Sequence, residues 1–392
     1  MKSKTLKLFV KGMIVAGAAF AMAACDDVTK PAPIESADEG LVQEDQGEDG
    51  QVQDGQVQDG QGQGQVGNGE VQGGADAGTG TGSNGSQDTG LGESNSSASM
   101  LPGVSSSDAS SVLSSSSEAV EEGGIFLAND TDEDQSYMEI EYRENTGWDG
   151  GGILAYPKRL SDTKKHAVIV WGPGGGTEPG AYGGMIRRLA SHGFVVIALK
   201  ESPGNGTQAT KALDWMGEQN SNPQSPLYGK LDMTKVGCSG HSMGGLESEW
   251  MVANDDRVIT SILNNSGYMS DFYFPLTPMT SVPTNKTIAI VYGEGGMERP
   301  NAEGDYNNPN VKAPACLLKM TGGQGTECQQ GECGYGHGSG AWSGIAATVA
   351  WMRWHLGGED WRKNDFVGTT GKYIDGPIIG QLGKWKGQCK NF

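Results

Sequence analysis

Between Asp26 and Glu122 the chain has no aromatic residue, and Lys30 is the one base against nineteen acids. This stretch offers almost nothing to bury, so it cannot offset the entropy of ordering itself and is expected to be a solvated tether. Its repeated Gln-Val-Gln-Asp-Gly units, followed by Gly/Ser-rich and then Ser-rich sequence, agree with that reading. Bases are scarce overall, and the formal net charge is −20. Nearly all of that charge lies in the tether, which leaves residues 123–392 only mildly acidic and argues against nucleic acid as a partner. Histidine is scarce too: there are five, all within residues 123–392 together with all nine tryptophans. That segment is long enough for one well-filled domain. Neither a metal nor a cofactor is expected, since the cysteine-bearing loop near the end shows too few ligands for structural zinc.

Residues 1–25 read as a targeting segment. Lys2, Lys4, Lys7 and Lys11 form a basic start, and the apolar run Met13 to Ala24 is too short to span a bilayer as a stable helix. Ala23-Ala24-Cys25 resembles the lipobox of bacterial lipoproteins, with Met22 standing where leucine is commoner. The resemblance implies that Cys25 is lipidated and begins the mature chain. Lipid chains, not a transmembrane helix, would then hold an extracytoplasmic protein to a bacterial membrane, with the cell surface as one destination. The organisation expected is therefore a signal peptide (1–25), a disordered acidic linker (26–122) and a catalytic domain (123–392), the last as a monomer.

The most informative stretch is Val236-Gly237-Cys238-Ser239-Gly240-His241-Ser242-Met243-Gly244-Gly245. It reads as a buried strand running into G-x-S-x-G and then directly into a helix. Such a turn holds a serine hydroxyl where it can attack a carbonyl carbon. Gly240 and Gly244 fit because side chains two positions either side of the nucleophile would strike neighbouring backbone. Strand candidates are residues 152–156, 167–171, 194–199, 236–241, 258–263, 287–292 and 315–320. Helical patterns cover 180–191, 209–219, 244–253 and 343–356. Several strands are continuous apolar runs, which favours burial on both faces. Their alternation with helices predicts an α/β class: a mostly parallel central sheet with helices on both faces.

The chain resembles α/β-hydrolases of the bacterial cutinase and polyester-hydrolase group, with their dienelactone-hydrolase and chlorophyllase-like relatives. The resemblance rests on Gly240-His241-Ser242-Met243-Gly244-Gly245, on the stretch Leu189 to Ala198, on Gly176-Thr177-Glu178 and on Ala212-Leu213-Asp214-Trp215, and covers roughly residues 150–360. It implies the α/β-hydrolase fold and serine ester hydrolysis. Leu246-Glu247-Ser248-Glu249-Trp250 departs from the family's glycine-rich stretch.

Ser242 needs a general base. His166 precedes a strand at the far edge, His192 sits in a helix-to-strand turn, His241 adjoins the nucleophile with its ring directed away, and His355 lies on an aromatic-rich helix. His337, between the last clear strand and the last helix, remains. The orienting acid should follow strand 287–292. The family's aspartate would fall three or four residues after Gly293, where Gly296 and Met297 stand here, so the candidates are Glu298, with Glu294 and Asp305 as alternatives. Oxyanion donors are expected from the Met243 N–H and from Gly174 or Gly175 in the Gly172–Gly176 run. Cutinase-like enzymes often carry an aromatic residue in that run. Its absence here predicts a wider cleft floor, or one covered by Tyr182 or Tyr268. Export makes disulfides plausible, and Cys328–Cys333 and Cys316–Cys389 are the expected pairs, with Cys238 a small core residue. The function expected is a serine carboxylic ester hydrolase, a cutinase-like or polyesterase activity with an extracytoplasmic polyester or acylated plant polysaccharide as substrate. An amidase or peptidase on the same residues, and a catalytically silent surface-binding module, are the alternatives.

Overall fold

The computed structural model describes residues 124–270 and 276–392. The targeting segment, Cys25 and the linker lie outside the described residues. The chain divides into two units, 1–105 and 106–392, and every element below belongs to the second.

Eight strands arise in the order β1 (Ile140–Thr146), β2 (Gly152–Pro157), β3 (His166–Gly172), β4 (Val195–Ala198), β5 (Leu231–His241), β6 (Val258–Asn264), β7 (Thr287–Gly293) and β8 (Ala315–Thr321). A hairpin, β9 (Glu327–Gln329) and β10 (Glu332–Gly334), stands apart, and β11 (Lys384–Lys390) closes the main sheet. The nine-stranded sheet runs β1-β2-β4-β3-β5-β6-β7-β8-β11. From β4 to β8 all neighbours are parallel; β1, β2 and β11 join antiparallel at the two edges. This is the α/β-hydrolase arrangement expected.

Alternation along each parallel strand builds two apolar layers. In β3, Ile169 and Trp171 face the layer that holds Met185 and Leu189 of α1 (Gly183–Ser191) and Val349 and Trp351 of α6 (Ile345–His355). Val168 and Val170 face the opposite layer, with Leu213 and Met216 of α2 (Thr207–Ser221) and Met251 and Val252 of α3 (Met243–Asn254). Burial on both faces explains why these strands read as unbroken apolar runs.

Several elements depart from expectation. The pattern at 343–356 is met by the single helix α6, but a four-residue helix α5 (Ser339–Trp342) that was not expected precedes it. Helix α4 (Arg299–Asn307), with Pro300 in its first turn, follows the acid loop and has no counterpart in the sequence reading. Neither do β1, the β9–β10 hairpin, the short helix α7 (Lys363–Phe366) and β11. Edge strand β1 has no fully buried residue and β11 is rich in lysine, which weakens their apolar signal.

Candidate active site

The turn between β5 and α3 carries Ser242 at φ 53° and ψ −115°, a backbone state that a non-glycine residue adopts only under constraint. The constraint is visible on both sides. The Ser242 N–H donates to the Asn264 carbonyl at 3.0 Å, and its own carbonyl accepts from Ser266 Oγ at 2.8 Å. The two flanking glycines are required by close approach: a Cβ on Gly240 would lie 2.7 Å from the Gly172 carbonyl oxygen, and one on Gly244 would strike the Gly172 backbone. Met243 opens α3, so its N–H is among those a helix leaves without an intrahelical acceptor.

His337 stands in the loop between β10 and α5. Its Nδ1 lies 2.8 Å from Glu298 Oε2, and the Glu298 side chain is only 7% exposed. That contact leaves Nε2 as the ring nitrogen free for a serine hydroxyl. The other two candidate acids are engaged elsewhere. Glu294 Oε1 accepts the N–H groups of Gly322 (2.7 Å) and Gly323 (3.1 Å), which pins the turn after β8. Asp305 accepts the N–H groups of Tyr268 (3.3 Å) and Met279 (3.1 Å) from within α4.

Asn265, which the sequence reading did not single out, ties the acid to the base loop. Its Nδ2 donates to Glu298 Oε1 and to the Gly336 carbonyl at 3.1 Å, and its Oδ1 accepts the Gly340 N–H. Glu327 adds a second brace, since its Oε2 accepts the His337 backbone N–H at 2.9 Å. The signal for Asn265 was faint: an asparagine just past an apolar strand, here at φ 49°, one of the few side chains that tolerate that region.

In the Gly172–Gly176 run, the Gly174 N–H is already given to Tyr182 Oη at 2.9 Å and Gly174 is buried. The expectation for Gly174 as an oxyanion donor is corrected on that ground. Gly175 is exposed and lies against Met243. Tyr182 is likewise no cover for the cleft: it is buried below the loop, with Trp342 stacked on it at 5.2 Å. Tyr268 lines a cavity of about 670 Å³ with Met269, Pro300, Asn301 and Asp305, between the segment after β6 and α4.

The remaining histidines serve the fold. His166 Nδ1 meets the Gly193 carbonyl (2.7 Å) and its Nε2 accepts the Ser161 N–H (3.0 Å). His192 joins the Gln135 carbonyl to Arg353, and burial holds its pKa down to about 4. His355 packs on Trp354 with its Nε2 unpartnered, and burial lowers its pKa to about 3. His241 is different. It is buried, bonds Tyr182 Oη through Nδ1 (2.9 Å) and the His337 carbonyl through Nε2 (2.9 Å), and its pKa falls to about 4, first through burial and then through His337.

Both expected disulfides are present, Cys316–Cys389 between β8 and β11 and Cys328–Cys333 across the β9–β10 hairpin. Cys238 is free, and burial raises its thiol pKa. Among the described residues no group of three or more His, Cys, Asp or Glu could hold a metal, and no helix is long and apolar enough to cross a membrane.

A strained serine at a strand-to-helix turn, with a histidine–carboxylate pair in neighbouring loops, has counterparts among known proteins. A family model described as PET hydrolase-like matches residues 135–284. That span contains Ser242 and the Gly172–Gly176 run but ends before Glu298 and His337. A bis(hydroxyethyl) terephthalate hydrolase of Streptomyces coelicolor is 34% identical over 102 residues, 24% of this chain and 31% of that protein. Cutinase est1 of Thermobifida alba is 32% identical over the same length, covering 32% of that protein, and cutinase 2 of Thermobifida cellulosilytica is 30% identical, covering 37%. The alignments thus span about a third of each relative. Fold and comparisons together make this chain similar to the PET hydrolase and cutinase group of α/β-hydrolases.

Proposed function

We propose that the protein is a serine carboxylic ester hydrolase acting through an acyl-enzyme. Ser242 Oγ attacks the ester carbonyl while His337 Nε2 takes its proton. Glu298, facing Nδ1, fixes the tautomer and stabilises the imidazolium that forms. The N–H groups of Met243 and Gly175 receive the developing oxyanion. His337 then protonates the leaving alcohol, and a water activated by the same nitrogen releases the acid. The observations that carry this reading are the 2.8 Å contact of His337 Nδ1 with Glu298 and a Ser242 held at positive φ in the strand-to-helix turn.

The polyester or acylated-polysaccharide class of substrate, export and lipid anchoring at Cys25 are parts of the same proposal. They are supported by the terephthalate-ester hydrolase and cutinase relatives and by the leader's residues. The test is turnover by the purified full chain on p-nitrophenyl esters beside matched anilides, with Ser242→Ala as control. Ester cleavage that disappears in the variant is the expected result. Faster anilide cleavage would move the assignment to an amidase, and no turnover of either by folded protein would leave a binding module.

A further inference from the structure

The residue just before the nucleophile has bonding that only one tautomer of its neutral ring satisfies. His241 Nε2 lies 2.9 Å from the His337 carbonyl oxygen. A carbonyl accepts and never donates, so Nε2 carries the proton. Nδ1 is then bare and accepts the Tyr182 hydroxyl proton at 2.9 Å. The Tyr182 oxygen in turn accepts the Gly174 N–H at 2.9 Å. Each of these three bonds then runs in one direction, and the Thr177 side chain also bonds the Tyr182 hydroxyl. Trp342, stacked on Tyr182 at 5.2 Å and edge-on to His241 at 5.4 Å, covers the outer side, so water competes little for these bonds.

The two ends of this chain of bonds are the two loops that the reaction must hold in register. Gly174 precedes the oxyanion donor Gly175, and the His337 carbonyl belongs to the base itself. No backbone hydrogen bond is described between the Gly172–Gly176 run and residues 334–338; the connection passes through Tyr182 and His241. We infer that His241 and Tyr182 are positioning residues that hold the oxyanion donor and the general base at a fixed separation across Ser242. This rests on the hydrolase reading above. It predicts a cost to the transition state rather than to substrate binding, because the oxyanion and the imidazolium must be served together only after attack begins.

The experiment is a two-residue cycle in the full chain, read as kcat and KM on a soluble p-nitrophenyl ester. Tyr182→Phe removes one oxygen and keeps the ring under Trp342; His241→Phe removes both bonding nitrogens. Each should lower kcat about tenfold, less than loss of an oxyanion donor itself, with KM within about twofold. The double variant should fall no further than the worse single, since both break the same connection. His241→Gln, which offers a donor and an acceptor, should recover most of the loss. Wild-type kcat in Tyr182→Phe, a loss confined to KM, or losses that multiply in the double variant would each overturn the inference. If His241→Phe fails to fold, Tyr182→Phe decides alone. Turnover surviving Ser242→Ala would sink the hydrolase reading itself. Abolition there with an unaffected Tyr182→Phe would remove the positioning role and leave the hydrolase standing.

Discussion

Glu298→Gln is the sharpest test of the site, because the structure says where each amide atom must go. The carboxylate serves two donors: Oε2 faces His337 Nδ1 at 2.8 Å and Oε1 accepts from Asn265 Nδ2. A glutamine has one acceptor oxygen. If that oxygen stays on Asn265, the amide NH₂ faces His337 Nδ1, which must then accept. The proton moves to Nε2, and the ring can no longer take one from Ser242. If the oxygen turns to His337 instead, two NH₂ groups abut, and Asn265 cannot turn away because its Oδ1 holds the Gly340 N–H. Either outcome loses the stabilised imidazolium, so kcat should fall about 10³–10⁴-fold, or about 4–5.5 kcal/mol of transition-state stabilisation. The assay is kcat on a p-nitrophenyl ester with active-site titration, alongside a thermal melt. Glu294→Gln is the matched control: it should keep kcat within a few fold while lowering Tm, because its carboxylate anchors Gly322 and Gly323. A Glu298→Gln enzyme within about tenfold of wild type, or a larger loss from Glu294→Gln, would refute the assignment of the acid.

The two disulfides should separate stability from activity. Replacing Cys316 and Cys389 with serine opens a link across 73 residues and should cost about 4 kcal/mol while leaving kcat intact below the melting range. Replacing Cys328 and Cys333, five residues apart, should cost only about 2 kcal/mol yet lower kcat, since the hairpin carries Glu327, which holds the His337 N–H; equal kcat in the two double variants would contradict this. Glu247→Gln should destabilise by about 3 kcal/mol in a denaturant melt, because one carboxylate oxygen that accepts two N–H groups becomes a donor facing them. For pH, His355 has a folded pKa of about 3 against 6.5 when free, so only the unfolded chain takes up its proton between those values. The wild type should therefore lose stability relative to His355→Phe as pH falls from 6.5 toward 3, by about 1.4 kcal/mol per pH unit, and a constant difference across pH 7 to 5 would refute it.

What could be read in the sequence was what is local and periodic. The β3, β4, β7 and β8 runs announced themselves because burial on both faces leaves few polar positions. The elbow did so because three backbone segments converge on Gly240 and Gly244 and exclude any side chain. His337 followed from elimination, since only five histidines exist. The acid was harder. The three candidate carboxylates lie within twelve residues, and what separates them is which one a distant asparagine holds toward His337. Asn265 is 33 residues from Glu298 and 75 from Gly340, so no window along the chain contains that bond. Glu247 shows the same limit from another side. Within Leu246-Glu247-Ser248-Glu249-Trp250 it looked like a departure from a glycine-rich pattern, yet its carboxylate caps α2 by accepting four N–H groups between Asn205 and Ala209, at 3.0–3.1 Å.

His241 marks where local reasoning stops being enough. A histidine beside a nucleophilic serine is, by position, turned away from the chemistry, and that is how its ring lies. Its importance comes from what lies on that hidden side: a tyrosine 59 residues earlier and a carbonyl 96 residues later, each belonging to a loop that the reaction uses. The G-x-S-x-G pattern fixes the serine by steric exclusion over five residues, and that constraint survives almost any fold-compatible context. The oxyanion donor and the base have no such local constraint. They come from loops after β3 and after β10, and their separation is as well defined as the bonds that join them. On the positioning role proposed for His241, those bonds run through an imidazole that burial keeps neutral, and the precision of the site would depend on a residue whose own chemistry the reaction never touches.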